Sequence, residues 1–160
     1  MVVQYNEKYQ RGIVDLILSI QQEEFGVPIT INNQPDLQNI TSFYQKGNGN
    51  FWVAVDEEKV VGTIALVDIR NNQGALRKMF VRQEYRGKEK GTAVALINTL
   101  LQWAKQKQLE SIFLGTIDTM KAAHRFYQKN GFVEITKGEL PPQFPLMVVD
   151  NRFFMLCLSC

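Results

Sequence analysis

Two segments of the chain carry residue types and spacings that can do chemistry. The first is Met79-Phe80-Val81-Arg82-Gln83-Glu84-Tyr85-Arg86-Gly87-Lys88-Glu89-Lys90-Gly91-Thr92-Ala93. It reads as the end of a strand, a basic glycine-containing loop and the start of a helix. A helix N-terminus offers free backbone N–H groups and the positive end of the helix dipole. Gly91 and Ala93 are small enough for an anion to approach the main chain, and Arg86, Lys88 and Lys90 add positive charge around it. That combination suits capture of a phosphate or pyrophosphate; the competing reading is a solvated basic loop. The order Lys90-Gly91-Thr92 lacks the lysine that a Walker A loop places after its glycine, and no Gly-x-Gly-x-x-Gly is present.

The second segment is Ala122-Ala123-His124-Arg125-Phe126-Tyr127-Gln128-Lys129-Asn130-Gly131-Phe132. Ala123, Phe126 and Tyr127 share one helical face. Alone, such a stripe suits core packing. Beside the first segment it has a recognisable form.

Together the two segments resemble the GNAT superfamily of N-acetyltransferases, which use acetyl-CoA. The resemblance runs from about Phe51 to Phe132. The family's loop reads Arg or Gln, x, x, Gly, x, Gly or Ala, and Gly91-Thr92-Ala93-Val94-Ala95-Leu96-Ile97 fits its second half. Lys88 stands where Arg or Gln is usual; against the common Tyr-Arg-Gly-Lys-Gly-x-Gly form, Glu89 and Lys90 are extra. The family's second motif, Asn-x-x-Ala-x-x-(Leu or Phe)-Tyr-x-Lys-x-Gly-Phe, matches from Ala123 through Phe132, with Met120 in place of its Asn.

The resemblance implies roles. Main-chain groups from Arg86 and Gly87 through Lys88, Glu89, Lys90, Gly91 and Thr92 to Ala93 cradle the pyrophosphate of acetyl-CoA. Met79 and Val81 pair with the pantetheine arm, an N–H near Phe80 stabilises the oxyanion, and Ala123 and Phe126 line the cofactor. Tyr127 protonates the departing thiolate, a task for which a phenol of pKa about 10 is suited. The base for the amine stays open among Glu23, Glu24, Asp68 and His124, the last expected to face solvent. In similar proteins the acceptor lies between two loops, here 25–34 and 138–151. Phe25, Phe144, Leu146 and Met147 then supply apolar walls, and Glu23, Glu24, Glu139 or Asp150 attract a cationic amine. The acceptor is a small amine, an amino acid or a peptide. The alternative is a non-catalytic sensor that binds acetyl-CoA through the same cradle.

Several elements must position these residues. Val2 to Tyr5 reads as a strand, and Lys8 to Phe25 as an amphipathic helix with Ile13, Leu16, Ile17 and Ile20 at helical spacing. A second helix is expected from Pro35 to about Lys46. Phe51–Val55, Val60–Ile69 and Ala75–Val81 form a meander, its middle strand apolar enough to be covered on both faces. Thr92–Lys107 is a helix with one apolar stripe, Ser111–Thr116 a short buried strand, and Asp118 the expected cap of a helix reaching Asn130. Phe132–Thr136 and Phe153–Leu158 complete the strands. The resulting expectation is a mixed α/β fold: a GNAT-like, mostly antiparallel sheet of six to seven strands flanked by about four helices, as one domain over residues 1–160.

Composition narrows the alternatives. The chain has 160 residues and a net charge of +2, with 18 Lys and Arg against 16 Asp and Glu, so no global field favours nucleic acid or an anionic membrane. One histidine removes the His-Glu-x-x-His metal hydrolases, and no metal is expected. The N-terminal residues lack a signal-peptide pattern and no segment is apolar enough to span a bilayer, so a cytoplasmic location, with a homodimer admitted, is the expectation. Cys157 is expected to pack in the last strand and Cys160 to lie free at the end, without redox or metal chemistry.

Overall fold

The computed structural model of the chain describes residues 1–160. Seven strands form one sheet: β1 Val2–Gln4, β2 Asn50–Asp56, β3 Lys59–Asp68, β4 Gln73–Val81, β5 Ser111–Thr116, β6 Val133–Ile135 and β7 Arg152–Cys157. Their spatial order is β1-β2-β3-β4-β5-β7-β6. Every pairing is antiparallel except β4 with β5. Four α-helices flank it: α1 Gln10–Leu18, α2 Ile40–Tyr44, α3 Thr92–Gln106 and α4 Lys121–Lys129. The expected mixed, mostly antiparallel GNAT-like architecture is therefore present.

The helices bury their stripes on opposite faces of the sheet. On one face, Leu96, Ile97, Leu100 and Ala104 of α3 and Tyr127 of α4 pack on Leu66, Leu76 and Leu114. On the other, Ile13, Leu16 and Ile17 of α1 and Ile40 and Tyr44 of α2 pack on Phe51, Val53 and Ala65. β3 is buried along most of its length, as an apolar run covered on both sides must be.

Some boundaries differ from expectation for local reasons. α1 does not run on regularly to Phe25; it passes into π-helical Ser19–Glu24, a wider turn often found where a helix meets a site. Helix Pro35–Lys46 is divided: a 3₁₀ turn, Pro35–Gln38, precedes α2, with Asn39 between them in a non-helical conformation. α4 starts at Lys121, and Met120, not Asp118, occupies its N-cap. Asp118 is drawn instead into an ion pair with Arg152, 3.0 Å away. Cys160 is not a free end. It is disulfide-bonded to Cys157, because the turn after the last residue of β7 brings Cα atoms three residues apart to 5.7 Å, inside bridging range.

A bulge in β4 sets which side chains reach the site. Ala65 opposes Arg77 and Thr63 opposes Phe80, so Ile64 alone faces two residues, Lys78 and Met79. Lys78 adopts φ +54°, a left-handed conformation uncommon for a side chain of this size. Its carbonyl is held by the Thr63 hydroxyl at 2.7 Å. The extra residue breaks the alternation of the strand, so Arg77 and Lys78 both reach toward the α1/α2 face.

Candidate active site

β4 and β5 begin side by side, with Gln73, Gly74 and Ala75 in register with Ser111, Ile112 and Phe113. Beyond Ala75 they share no pairing and part into a cleft of about 150 Å³. Lys78, Arg77, Tyr127, Asp150, Gln34 and Met120 are among the groups that line it.

β4, which lines the cleft through Phe80, runs on into the basic loop. Gly91 caps α3 with φ +70° and Gly87 has φ +102°, conformations that favour glycine, and a Cβ at either would meet nothing within 4 Å. The first helical bond of α3 is donated by Ala95 to Gly91. The N–H groups of Thr92, Ala93 and Val94 therefore point outward without an intrachain acceptor, as helix starts leave them. Lys88, Glu89 and Lys90 are exposed around them. The N–H groups of Arg86, Lys90 and Gly91, expected in the cradle, instead donate to the Gln83 and Gly87 carbonyls. The open donors therefore lie at the helix start, and a phosphate-bearing group fits them there.

Arg86 does not join this nest. Its guanidinium forks onto both carboxylate oxygens of Glu24, and its Nε donates to the Val81 carbonyl at 2.8 Å. Arg86 holds the Glu24 carboxyl below the usual carboxylate range, chiefly through this hydrogen bonding. The pair ties the loop to the π-helical end of α1. Because Arg82 N–H donates to the Val61 carbonyl, ladder alternation directs Phe80's main chain at β3 and Val81's toward the open edge. Met79 and Phe80 both line the cleft.

α4 supplies the next wall. Tyr127 is buried among Phe126, Phe132 and Phe154, while its hydroxyl makes no hydrogen bond within the chain. Burial, with Asp150 adding to it, pushes the phenol well above its ordinary value, so it stays protonated across the neutral range. Ala123 and Phe126 pack half-buried beside it. Met120 lies at the helix start, its sulfur 3.7 Å from the Thr116 hydroxyl.

The base candidates separate sharply. His124 is buried, not solvent-facing, because it lies on the same inner face as Tyr127; its Nε2 is 2.9 Å from the Ile117 carbonyl and its ring rests on Phe154. Asp68 is occupied by the N–H groups of Asn48 and Arg70. Glu24 is taken by Arg86, and exposed Glu23 accepts from Ser19. None of the four lines the cleft between β4 and β5.

The remaining side is polar and buried. Lys78 Nζ is 2.5 Å from Gln34 Oε1 and 3.6 Å from Asp36 Oδ2; Gln34 and Gln21 exchange amide hydrogen bonds, and Tyr44 donates to Asp36 at 2.5 Å. Burial lowers the Lys78 ammonium to about 8, against the raising influence of Asp36. The bulge places this cation on the cleft, and sequence reading did not find it because nothing in Arg77-Lys78-Met79 signals a left-handed residue. Of the two acceptor loops, 25–34 contributes Val27, Ile29 and Gln34, and 138–151 contributes Phe144, Met147 and Asp150; Phe25, Glu139 and Leu146 stay outside the cleft.

Comparison with known proteins supplies context. Residues 14–132 match the model of the acetyltransferase (GNAT) family. The chain is 38% identical over 125 residues to an N-acetylaspartate synthetase of Xenopus tropicalis, covering 76% of this chain and 45% of that protein. The chain thus spans about half the length of the curated relatives it matches. Among solved structures, a GNAT-family acetyltransferase of Staphylococcus aureus Mu50 superposes with a TM-score of 0.94 at 40% identity, covering 99% of this chain and 98% of that one. An acetyltransferase of Streptococcus agalactiae 2603 does so with a TM-score of 0.94 at 32% identity, with the same coverage.

Proposed function

The chain belongs to the acetyltransferase (GNAT) family, and from that premise we propose that it moves the acetyl group of acetyl-CoA to the primary amine of a small acceptor, by direct attack in a ternary complex. The observation that carries this reading is the parting of β4 and β5, with the unpartnered Tyr127 hydroxyl in the cleft, and with β4 running on to the free N–H donors of Thr92, Ala93 and Val94 at the start of α3. The name of the Xenopus relative supports an amino acid as acceptor.

On this reading the pyrophosphate rests on the N–H groups of Thr92 and Ala93, with Lys88 and Lys90 beside it, and the pantetheine arm lies along the unpaired edge of β4 near Met79 and Val81. Arg86 acts one step back, holding the loop through Glu24. Acetyl-CoA supplies a thioester whose carbonyl carbon the amine attacks. The Val81 N–H, on the open edge, is the donor best directed at a developing oxyanion, a contribution typically about 10²–10³ in rate. Tyr127 gives its proton to the departing sulfur.

Calorimetric titration with acetyl-CoA and CoA, followed by thiol release over a panel of amines, amino acids and peptides, tests the reading. Cofactor binding with turnover of at least one amine is expected. Absence of binding at millimolar cofactor overturns it, and binding without turnover of any amine replaces it with the sensor.

A further inference from the structure

The charges lining the cleft do not cancel in pairs. Lys78 is matched by Asp36 behind it. Arg77 and Asp150 also line the cleft, and neither belongs to any ion pair of the protein, so no carboxylate oxygen lies within 4.0 Å of the Arg77 guanidinium. Arg77 is held by uncharged contacts: its Nη2 is 3.3 Å from the Met147 sulfur, and its guanidinium lies 6.0 Å from the centre of the Phe43 ring. Asp150 is half-buried against the Gly115 main chain, where a Cβ would fall 2.5 Å from its Oδ2, and its carboxylate makes no hydrogen bond within the chain. Its loop is pinned to β5, since Asn151 N–H donates to the Thr116 carbonyl at 2.9 Å.

Two opposite charges in one low-dielectric cleft, near enough to sense each other and kept apart, complement a molecule that carries both charges itself. We propose that Arg77 and Asp150 read the acceptor as an α-amino acid zwitterion, Arg77 pairing with its carboxylate and Asp150 accepting the proton of its ammonium. This rests on the acetyl-transfer reading and names the residues that choose the acceptor. The groups facing Asp150 are Arg77 and Lys78 from β4 and Tyr127 from α4. Burial raises the Asp150 carboxyl to about 6, partly offset by the two cations, which leaves it ionised at neutral pH but a better proton acceptor than a solvated carboxylate.

Protons and electron pairs balance across the transfer. Asp150 takes one proton from the ammonium and passes it to solvent. The freed nitrogen pair forms the N–C bond to the acetyl carbon. The C–S bond then breaks with its electrons on sulfur, which takes the Tyr127 proton, and Tyr127 regains one from the nitrogen as the amide forms.

The test uses steady-state kinetics on the full chain with L-aspartate, L-alanine and L-methionine, each beside its α-amide. The free acid of the preferred residue should exceed its amide by about 10- to 100-fold in kcat/KM, the span of a charged hydrogen bond. Arg77→Gln should erase that ratio by lowering the acid alone, and Arg77→Lys should restore part of it. Asp150→Asn, close to isosteric, should lower kcat with acetyl-CoA affinity kept and remove the acidic limb of the pH profile. Equal use of acid and amide by the unaltered enzyme, an unchanged ratio in Arg77→Gln, or an unmoved acidic limb in Asp150→Asn overturns the proposal. Turnover of simple amines with no preference for free acids overturns it while leaving acetyl transfer standing; no turnover of any amine overturns both.

Discussion

Arg86 and Glu24 face each other as a two-pronged ion pair across 62 positions of sequence, joining the glycine loop to the last turn of the first helix. Sequence alone gives Arg86 to the phosphate. The structure gives it to a carboxylate, and the distinction is measurable. If Arg86 braces the loop, Glu24→Ala and Arg86→Ala should weaken acetyl-CoA binding alike, each by about 3- to 10-fold, and the double variant should add little. If Arg86 bound phosphate, freeing it with Glu24→Ala would tighten binding. The pair is about one-third exposed, so stability should change by less than about 1 kcal/mol. Calorimetry on the four proteins decides.

Tyr127→Phe removes a hydroxyl with no partner in the chain, so thermal stability should move by about 1 kcal/mol or less. Loss of the acid should lower kcat about 10-fold or more with acetyl-CoA affinity kept. Because burial holds the phenol well above its ordinary value, no alkaline limb from Tyr127 is expected below about pH 9. An unchanged kcat removes it from the acid role.

Asp150 should show a conflict between stability and activity. Its pKa is raised from 3.8 to about 6 by burial, so the fold binds its proton more tightly than the unfolded chain does. That contribution is complete below about pH 4 and lost as pH rises through about 6. Asp150→Asn should therefore gain stability at about pH 8 relative to about pH 4, by roughly 1–3 kcal/mol, while losing turnover. Burial sets this balance, and the Arg77 and Lys78 cations oppose it. Denaturant melts of both proteins at the two pH values give the difference directly.

Gly115 leaves room for that carboxylate. A methyl at this position would fall 2.5 Å from Asp150 Oδ2 and 3.0 Å from its Cγ, so Gly115→Ala should push Asp150 off β5. The expected result is loss of kcat of at least about 10-fold with little change in acetyl-CoA affinity. Kinetics at saturating cofactor read it.

Lys78 and Asp36 are both under 10% exposed. Removing the cation alone, as Lys78→Met, leaves the Asp36 carboxylate with only the Tyr44 hydroxyl and should cost about 3 kcal/mol. Adding Asp36→Asn should recover much of it. Because the fold lowers the ammonium to about 8 from 10.5, stability of the unaltered protein attributable to this group should rise as pH climbs between those values. Urea unfolding at about pH 7.5 and about pH 10 tests both statements.

The meander, α3 and β5 were legible because apolar runs bounded by turn residues leave few alternatives. The short buried strand Ser111–Thr116 matches its expected ends. What escaped depends on contacts distant in sequence. The Lys78 bulge is held by Thr63, the burial of His124 by Ile117 and Phe154, and the breaking of the Pro35–Lys46 helix at Asn39 lets Asp36 face Lys78 and Tyr44. Asp150 could be named as a charge near an amine. Only the fold shows it against Gly115, in one cleft with Arg77 and without a partner. The site's main-chain half was therefore readable from glycine spacing, and its side-chain half was not.

Three residue pairs are all the ladder that joins β4 to β5, and hence the four-stranded half of the sheet to the three-stranded half. A sheet interrupted in this way has an unfilled seam. An extended amide-bearing molecule laid along it acts as a temporary eighth strand. Occupancy and mechanical integrity then become one quantity. Amide hydrogens of β5 and β7 should exchange more slowly in proportion to how fully the seam is filled.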